Sequence, residues 1–273
     1  MTTVIYITLF FYMLSSSGYI AYFLVQKDKF YKSSYYILLT GFLFHSIIIA
    51  YGCIKQDHFF LYNFSDTLLF IGWALAFIFI VLRFKFNIKI LGAFVVPIIT
   101  VIFLFMTQIP REAVIVNNTL NNLFLIFHVI TVLTGEASFV LACGIGIIYI
   151  LQENVIKNKK HGFFLRRLPS LDLLDSAGYM CIITGFILLT IGLISGFISA
   201  KIVWNKFITW DIKEVWSFIT WLIYATLLHE RATSGWRGRK AAIMSIIGCA
   251  VMLFTFLGIN FLLNGHHGEF TKL

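Results

Sequence analysis

The chain has 273 residues, of which 60% are hydrophobic, 18% aromatic and 12% charged. Soluble domains carry about 25% charged residues, so this composition excludes a soluble globular protein and leaves little room for a separate soluble domain. The formal net charge of +9 would suit nucleic-acid binding only if the basic residues gathered on one solvated face.

Apolar runs of spanning length recur at about 4–24, 36–54, 64–82, 90–107, 123–151, 178–200, 213–229 and 241–263. A span needs about 20 apolar residues at about 1.5 Å rise each. The runs therefore predict an all-α, polytopic integral membrane protein with about eight transmembrane helices. The first run lacks a basic n-region and a small-residue cleavage site, and reads as a retained helix rather than a signal peptide. The fifth is long enough to tilt or to project beyond the bilayer. With no long linker, low-complexity tract or internal repeat, 1–273 reads as one transmembrane domain with a tryptophan-rich connection at 201–216.

Charge sets the expected orientation. The first, third, fifth and seventh connections hold Lys27, Lys29, Lys32; Arg83, Lys85, Lys89; Lys157, Lys159, Lys160, Arg166, Arg167; and Arg231, Arg237, Arg239, Lys240, which is 15 of the 21 basic residues. The positive-inside rule then puts these loops in the cytoplasm and both termini outside, together with the 201–216 loop. The basic excess is a topology signal, and no nucleic-acid partner is expected.

Four cysteines (Cys53, Cys143, Cys181, Cys249) lie far apart, without a CxxC pair or zinc spacing, and read as small hydrophobes rather than a source of reductant. The fifth connection, about 152–177, mixes basic and apolar residues and reads as an interfacial anchor or a docking surface. The segment Ser234-Gly-Trp-Arg-Gly-Arg-Lys240 reads as a basic reverse turn whose charges fix orientation.

The topology also sorts the histidines. His128 opens the fifth helix at the outer face, and His266 and His267 follow the eighth, also outside. Two neutral imidazoles on opposite faces of a porphyrin make a bis-histidine iron site, and a flat aromatic loop can hold an apolar macrocycle between them. The plainer alternatives are an interfacial His128 bonded to a neighbouring carbonyl, a loose C-terminal tail, and tryptophans that form an ordinary aromatic belt. Asp211 and Glu214 also suit an N-terminal helix cap. His229, 18 residues after Asp211, falls about 27 Å further along a continuous helix and cannot share a metal with the outer histidines. His45, Glu136 and Asp66 are ionisable groups within or at the ends of apolar runs, and each is either functional or paired with a buried partner.

The pattern Trp204…Trp210-Asp211-x-Lys213-Glu214-x-Trp216 resembles the tryptophan-rich signature of the haem-handling cytochrome c assembly proteins. With His229, Gly235-Trp-Arg-Gly-Arg-Lys-Ala-Ala, Leu125-Ile-Phe-His128-Val and Leu168-Pro-Ser-Leu-Asp172, the chain is similar to the CcsA/ResC type of system II cytochrome c biogenesis, from about residue 41 to 267. The resemblance implies a membrane subunit that carries haem b to the outer face and presents it for attachment to apocytochrome c CxxCH motifs. It further implies part of a holocytochrome c synthase, working with a CcsB/ResB-type membrane protein in a bacterial cytoplasmic membrane rather than a plastid thylakoid. Under it, His128 and His267 match the outer axial ligands of the haem iron and His229 matches a histidine of the inner entry site. Trp204, Trp210 and Asp211 match the haem-cradling loop, with Trp216 closing the signature. Three positions depart from the usual loop: Asn205 stands for glycine, Ile208 for a tryptophan and Ile212 for proline. A second reading is a HemX-like regulator or scaffold of haem synthesis that transports nothing.

Overall fold

The computed structural model describes residues 2–55, 63–109, 123–158, 167–208 and 210–258. Eight α-helices occupy them: α1 (Thr2–Val25), α2 (Asp28–Lys55), α3 (Phe64–Phe86), α4 (Gly92–Gln108, entered through the 3-10 turn Lys89–Leu91), α5 (Leu123–Lys157), α6 (Leu171–Trp204), α7 (Ile212–Thr233) and α8 (Arg239–Leu253). No strand interrupts them among the described residues. Seven are long and apolar enough to cross a membrane. The eighth, α7, has the length but carries Lys213, Glu214, His229, Glu230 and Arg231.

The helices pack as two groups. In the first, α1 lies against α2 and α4, and α3 against α4; in the second, α5 lies against α6 and α8, and α7 against α8. Contacts between α3 and α5 join the groups. The α5–α6 interface is the most extensive, and small residues permit it. A Cβ on Gly185 would stand 2.6 Å from the Phe139 ring, and one on Gly135 would stand 3.1 Å from the Gly185 carbonyl oxygen. Helices in lipid have no hydrophobic drive to associate, so close backbone approach of this kind holds them together.

Several ends depart from the apolar runs for local reasons. The fifth run ends near 151, yet α5 continues to Lys157, because Glu153 pairs with Lys157 at 2.8 Å and with Arg239 at 2.8 Å. The sixth helix starts at Leu171, seven residues before its apolar run, where the Ser170 hydroxyl caps it by accepting the Leu173 N–H at 3.4 Å. Much of the expected interfacial connection 152–177 is therefore helix.

The two ionisable residues that the sequence singles out in the first group, His45 and Asp66, are both accommodated within the fold. His45 is fully buried. Its Nε2 lies 3.0 Å from the Leu69 carbonyl oxygen, which can only accept, so Nδ1 accepts the Tyr12 hydroxyl at 2.9 Å. A neutral imidazole with both nitrogens used is a core-building group. Asp66 is buried in the first turn of α3, where a carboxylate complements the helix dipole. Cys181 and Cys249 are buried, Cys143 is half-buried and Cys53 is exposed. Cys143 and Cys249, far apart in sequence, are neighbours across α5 and α8, and both are free thiols.

Candidate functional site

Antiparallel packing gives the bundle two unlike ends. One gathers the basic connections α1–α2, α3–α4, α5–α6 and α7–α8, and the other gathers the start of α5, the α6–α7 loop and the end of α8. The second end holds most of the sequence-predicted site.

His128 lies in the second turn of α5, against α6. Its Nδ1 is 2.7 Å from the Gly192 carbonyl oxygen. Because a carbonyl has no proton to give, Nδ1 is the donor and Nε2 of the neutral ring is the acceptor nitrogen. A Cβ on Gly196 would fall 2.8 Å from both Cε1 and Nδ1 of the ring, so Gly192 and Gly196 form the notch in which the imidazole rests. Below it, the Thr131 hydroxyl lies 2.8 Å from the Phe127 carbonyl oxygen and 3.0 Å from that of His128. The carbonyl-bonded histidine expected as the plainer alternative is therefore present, and the bond that holds Nδ1 makes Nε2 the acceptor nitrogen of the ring.

The loop between α6 and α7 is built by backbone geometry. Asn205 ends α6 in the left-handed region, at φ 58°. Asparagine is the common substitute for glycine there, so this departure from the usual loop keeps its backbone. Lys201 braces the turn, with Nζ 3.3 Å from the Asn205 carbonyl oxygen and 5.3 Å from the centre of the Phe207 ring. Trp210 also has φ 56°, a conformation that costs a bulky side chain roughly 1 kcal/mol or more. Its N–H donates to Glu214 Oε2 at 2.9 Å, while Asp211 caps α7 by accepting the Ile212 N–H at 2.7 Å. Asp211 and Glu214 thus act as the helix-capping pair that their positions allow.

This strained, doubly held backbone leaves the Trp210 indole 77% exposed, with Phe207 and Ile208 exposed beside it. Trp216, one turn into α7, is half-buried and meets Phe254 edge to face at 4.8 Å. Phe254 opens a π-helical turn, Phe254–Gly258, that continues α8 at the same end as His128 and Trp210. Trp204 is the last residue of α6. His266 and His267 lie outside the described residues.

Lys213, in the first turn of α7, is half-buried and feels the charges of Asp211 and Glu136. Its charge acts on Glu136 from across the bundle. His229 is exposed near the far end of α7, the full helix away from Asp211. The separation expected from the sequence holds.

Sequence reasoning did not single out Gly192, Gly196 or Phe254. The glycines were legible as a small-residue stripe, Gly185, Gly192 and Gly196, on one apolar run; nothing in the sequence marks Phe254.

Comparisons with known proteins identify the family and the fold. The family model described as cytochrome C assembly protein matches residues 61–267. A cytochrome c biogenesis protein CcsA from Guillardia theta is 32% identical over 242 residues, covering 81% of this chain and 80% of the relative. Another from Mesostigma viride is 31% identical over 263 residues, covering 86% of each. A third, from Prochlorococcus marinus (strain MIT 9301), is 30% identical over 262 residues, covering 86% of this chain and 85% of the relative. In fold, the chain is similar to the solved structure of cytochrome c heme lyase CcmF, with a TM-score of 0.68 at 14% identity, over 98% of this chain and 48% of that one. The chain spans about half the length of that structure and most of the length of the relatives named above, and it belongs to the cytochrome c assembly protein family, with relatives of the CcsA type.

Proposed function

We propose that this membrane protein of cytochrome c biogenesis binds haem b as a transported substrate and presents it at the end of the bundle formed by His128 and the α6–α7 loop. The observation that carries this reading is the His128–Gly192 hydrogen bond: it fixes the tautomer and orientation of the imidazole, at the same end as an exposed tryptophan held in a strained backbone. His128 and His267 are the two axial ligands. Trp204, Trp210 and Trp216 supply apolar contact to the macrocycle, and Asp211 holds the loop that carries them. His229, on the exposed side of α7, belongs to an inner entry site completed by a CcsB/ResB-type membrane partner.

In this reading the basic connections face the cytoplasm, and both termini and the α6–α7 loop face outward, in a bacterial cytoplasmic membrane. Thioether formation adds a cysteine S–H of the CxxCH motif across a haem vinyl group, so no leaving group has to be activated. The chain contributes position. A ring held by two ligands against a fixed aromatic face presents its edge to an apocytochrome c docked on the loop. Binding rather than nucleophilic chemistry makes the chain a synthase subunit with its partner.

The reading is tested by co-expressing the chain, its partner and an apocytochrome c with one CxxCH motif, and measuring covalently bound haem. Wild type should yield holocytochrome, and His128→Ala should yield almost none at equal membrane abundance. Undiminished holocytochrome from His128→Ala would remove His128 from the site. Wild-type protein that binds a haem-biosynthetic enzyme but neither haem nor apocytochrome would favour the HemX-like regulator.

A further inference from the structure

Two motifs that the haem site leaves unused meet at the basic-loop end. Leu168-Pro-Ser-Leu-Asp172 leads into α6, and Ser234-Gly-Trp-Arg-Gly-Arg-Lys240 links α7 to α8. A cavity of about 740 Å³ lies between them, lined by residues of both.

One wall of the cavity is fixed. Asp175 accepts from both terminal nitrogens of Arg231, at 3.1 and 2.6 Å, and from the Gly238 N–H at 2.7 Å. The Arg231 guanidinium also stands 4.1 Å from the centre of the Tyr179 ring. Gly238, at φ 62°, has no room for a side chain, because a Cβ would lie 2.5 Å from the Tyr149 hydroxyl. This clamp joins α6, α7 and the turn before α8, and its two charges satisfy each other.

The rest of the lining holds charge of both signs. Asp172 and Arg237 both line the cavity and are exposed, and among the described residues neither forms an ion pair or a hydrogen bond. Ser176 adds a hydroxyl to the lining. A simple anion would answer Arg237 and be repelled by Asp172, and a simple cation would do the reverse. A ligand with a phosphate and a primary ammonium answers both: guanidinium matches phosphate geometry, and a carboxylate accepts from an ammonium N–H.

The surroundings indicate where that ligand comes from. Trp236 is half-buried beside the cavity, with Lys240 Nζ 5.4 Å from its ring centre. A tryptophan next to a lysine at the end of apolar helices marks headgroup level. We propose that this cavity binds the headgroup of a phosphatidylethanolamine-class lipid, with its phosphate on Arg237, its ammonium on Asp172 and its acyl chains along the apolar flank of the bundle. Bound there, the lipid bridges α6 to the α7–α8 turn at the end opposite the haem site. The inference stands independently of the haem reading.

Native mass spectrometry of the detergent-released full chain tests it, with phosphatidylethanolamine, phosphatidylcholine or phosphatidylglycerol added at equal concentration. Wild type should retain phosphatidylethanolamine several-fold better than the other two, since the quaternary ammonium of choline has no N–H to donate and glycerol has no cation. Asp172→Asn should abolish the preference over phosphatidylcholine, and Arg237→Gln should lower retention of all three. Both residues are exposed and outside the Asp175–Arg231 clamp, so the fold should persist. Ser176→Leu, which fills the cavity without changing charge, should also reduce retention. Equal retention of the three lipids, survival of the preference in Asp172→Asn, or preference for phosphatidylglycerol would overturn the proposal. Displacement of the lipid by millimolar water-soluble phosphoethanolamine would assign the cavity to the free headgroup instead.

Discussion

His128 Nδ1 lies 2.7 Å from the Gly192 carbonyl oxygen, so α6 fixes the orientation of an imidazole that belongs to α5. A carbonyl accepts and never donates, so this one contact sets the tautomer of the ring and the direction of its remaining lone pair. Glycine at 196 leaves the space the ring occupies. A Cβ there would stand 2.8 Å from Cε1 and Nδ1.

Gly196→Ala should therefore rotate or displace the His128 ring without removing it. Positioning groups of this kind typically change metal affinity about 10- to 100-fold, so haem occupancy should fall by at least about tenfold. Titrating haem into the purified variant reads the effect. Wild-type affinity in Gly196→Ala would show that the notch does not position the ring.

Trp210→Gly separates strain from function. Glycine adopts φ 56° at little cost, so the variant should be as stable as wild type or more so, while haem occupancy drops with loss of the exposed indole. Thermal unfolding in detergent, read alongside the haem spectrum, distinguishes the two. A clear loss of stability would make Trp210 a structural residue.

Asp211 should behave as a cap. Asparagine caps a helix about as well as aspartate, whereas alanine costs about 1 kcal/mol. Asp211→Asn should therefore keep the melting temperature and Asp211→Ala should lower it by a few degrees. Equal loss in both variants would assign the carboxylate's charge, rather than its hydrogen bond to Ile212, as the stabilising feature.

His45 is expected to matter for folding alone. His45→Ala leaves the Tyr12 hydroxyl and the Leu69 carbonyl without their partner in a dry core, a loss of about 3 kcal/mol or more. The folded fraction should still show the wild-type haem spectrum. A change of spectral type in that fraction would connect His45 to the haem site.

Breaking the clamp at the other end should be costly. Asp175→Asn removes one charge of a largely enclosed bidentate pair with Arg231 (side-chain exposures 16% and 11%). Loss of one partner from a buried pair costs about 3–5 kcal/mol; the partial exposure here places the expected loss near the lower figure. Thermal unfolding checks this. A melting temperature equal to wild type would show that the pair contributes nothing net.

Much of the architecture was legible because apolar length and loop charge are strong, local signals. Runs of about 20 apolar residues marked all eight helices, including α7, which hydropathy alone sets apart because its ends carry five polar or charged side chains. The gathering of His128, Trp210, Asp211 and Trp216 at one end followed from counting spans. Contacts across helices were not legible. His45 looked like a functional candidate until Tyr12 and Leu69 were seen to satisfy it. Cys143 and Cys249 are far apart in sequence yet neighbours in the fold, since register between α5 and α8 depends on side-chain volumes such as those at Gly146 and Ala242. Asn205 looked like a loss from the loop, and its left-handed backbone accounts for the substitution.

The central claim is that an oriented His128 holds haem iron at the α6–α7 loop. It is tested most directly by absorption spectra of the detergent-purified protein, co-expressed with its membrane partner, in wild type and in His128→Ala/His267→Ala. Wild type should show a bis-histidine haem spectrum that the double variant loses while remaining folded and bound to its partner. The same bis-histidine spectrum in the double variant, or a folded, partner-bound wild type free of haem, would contradict the account.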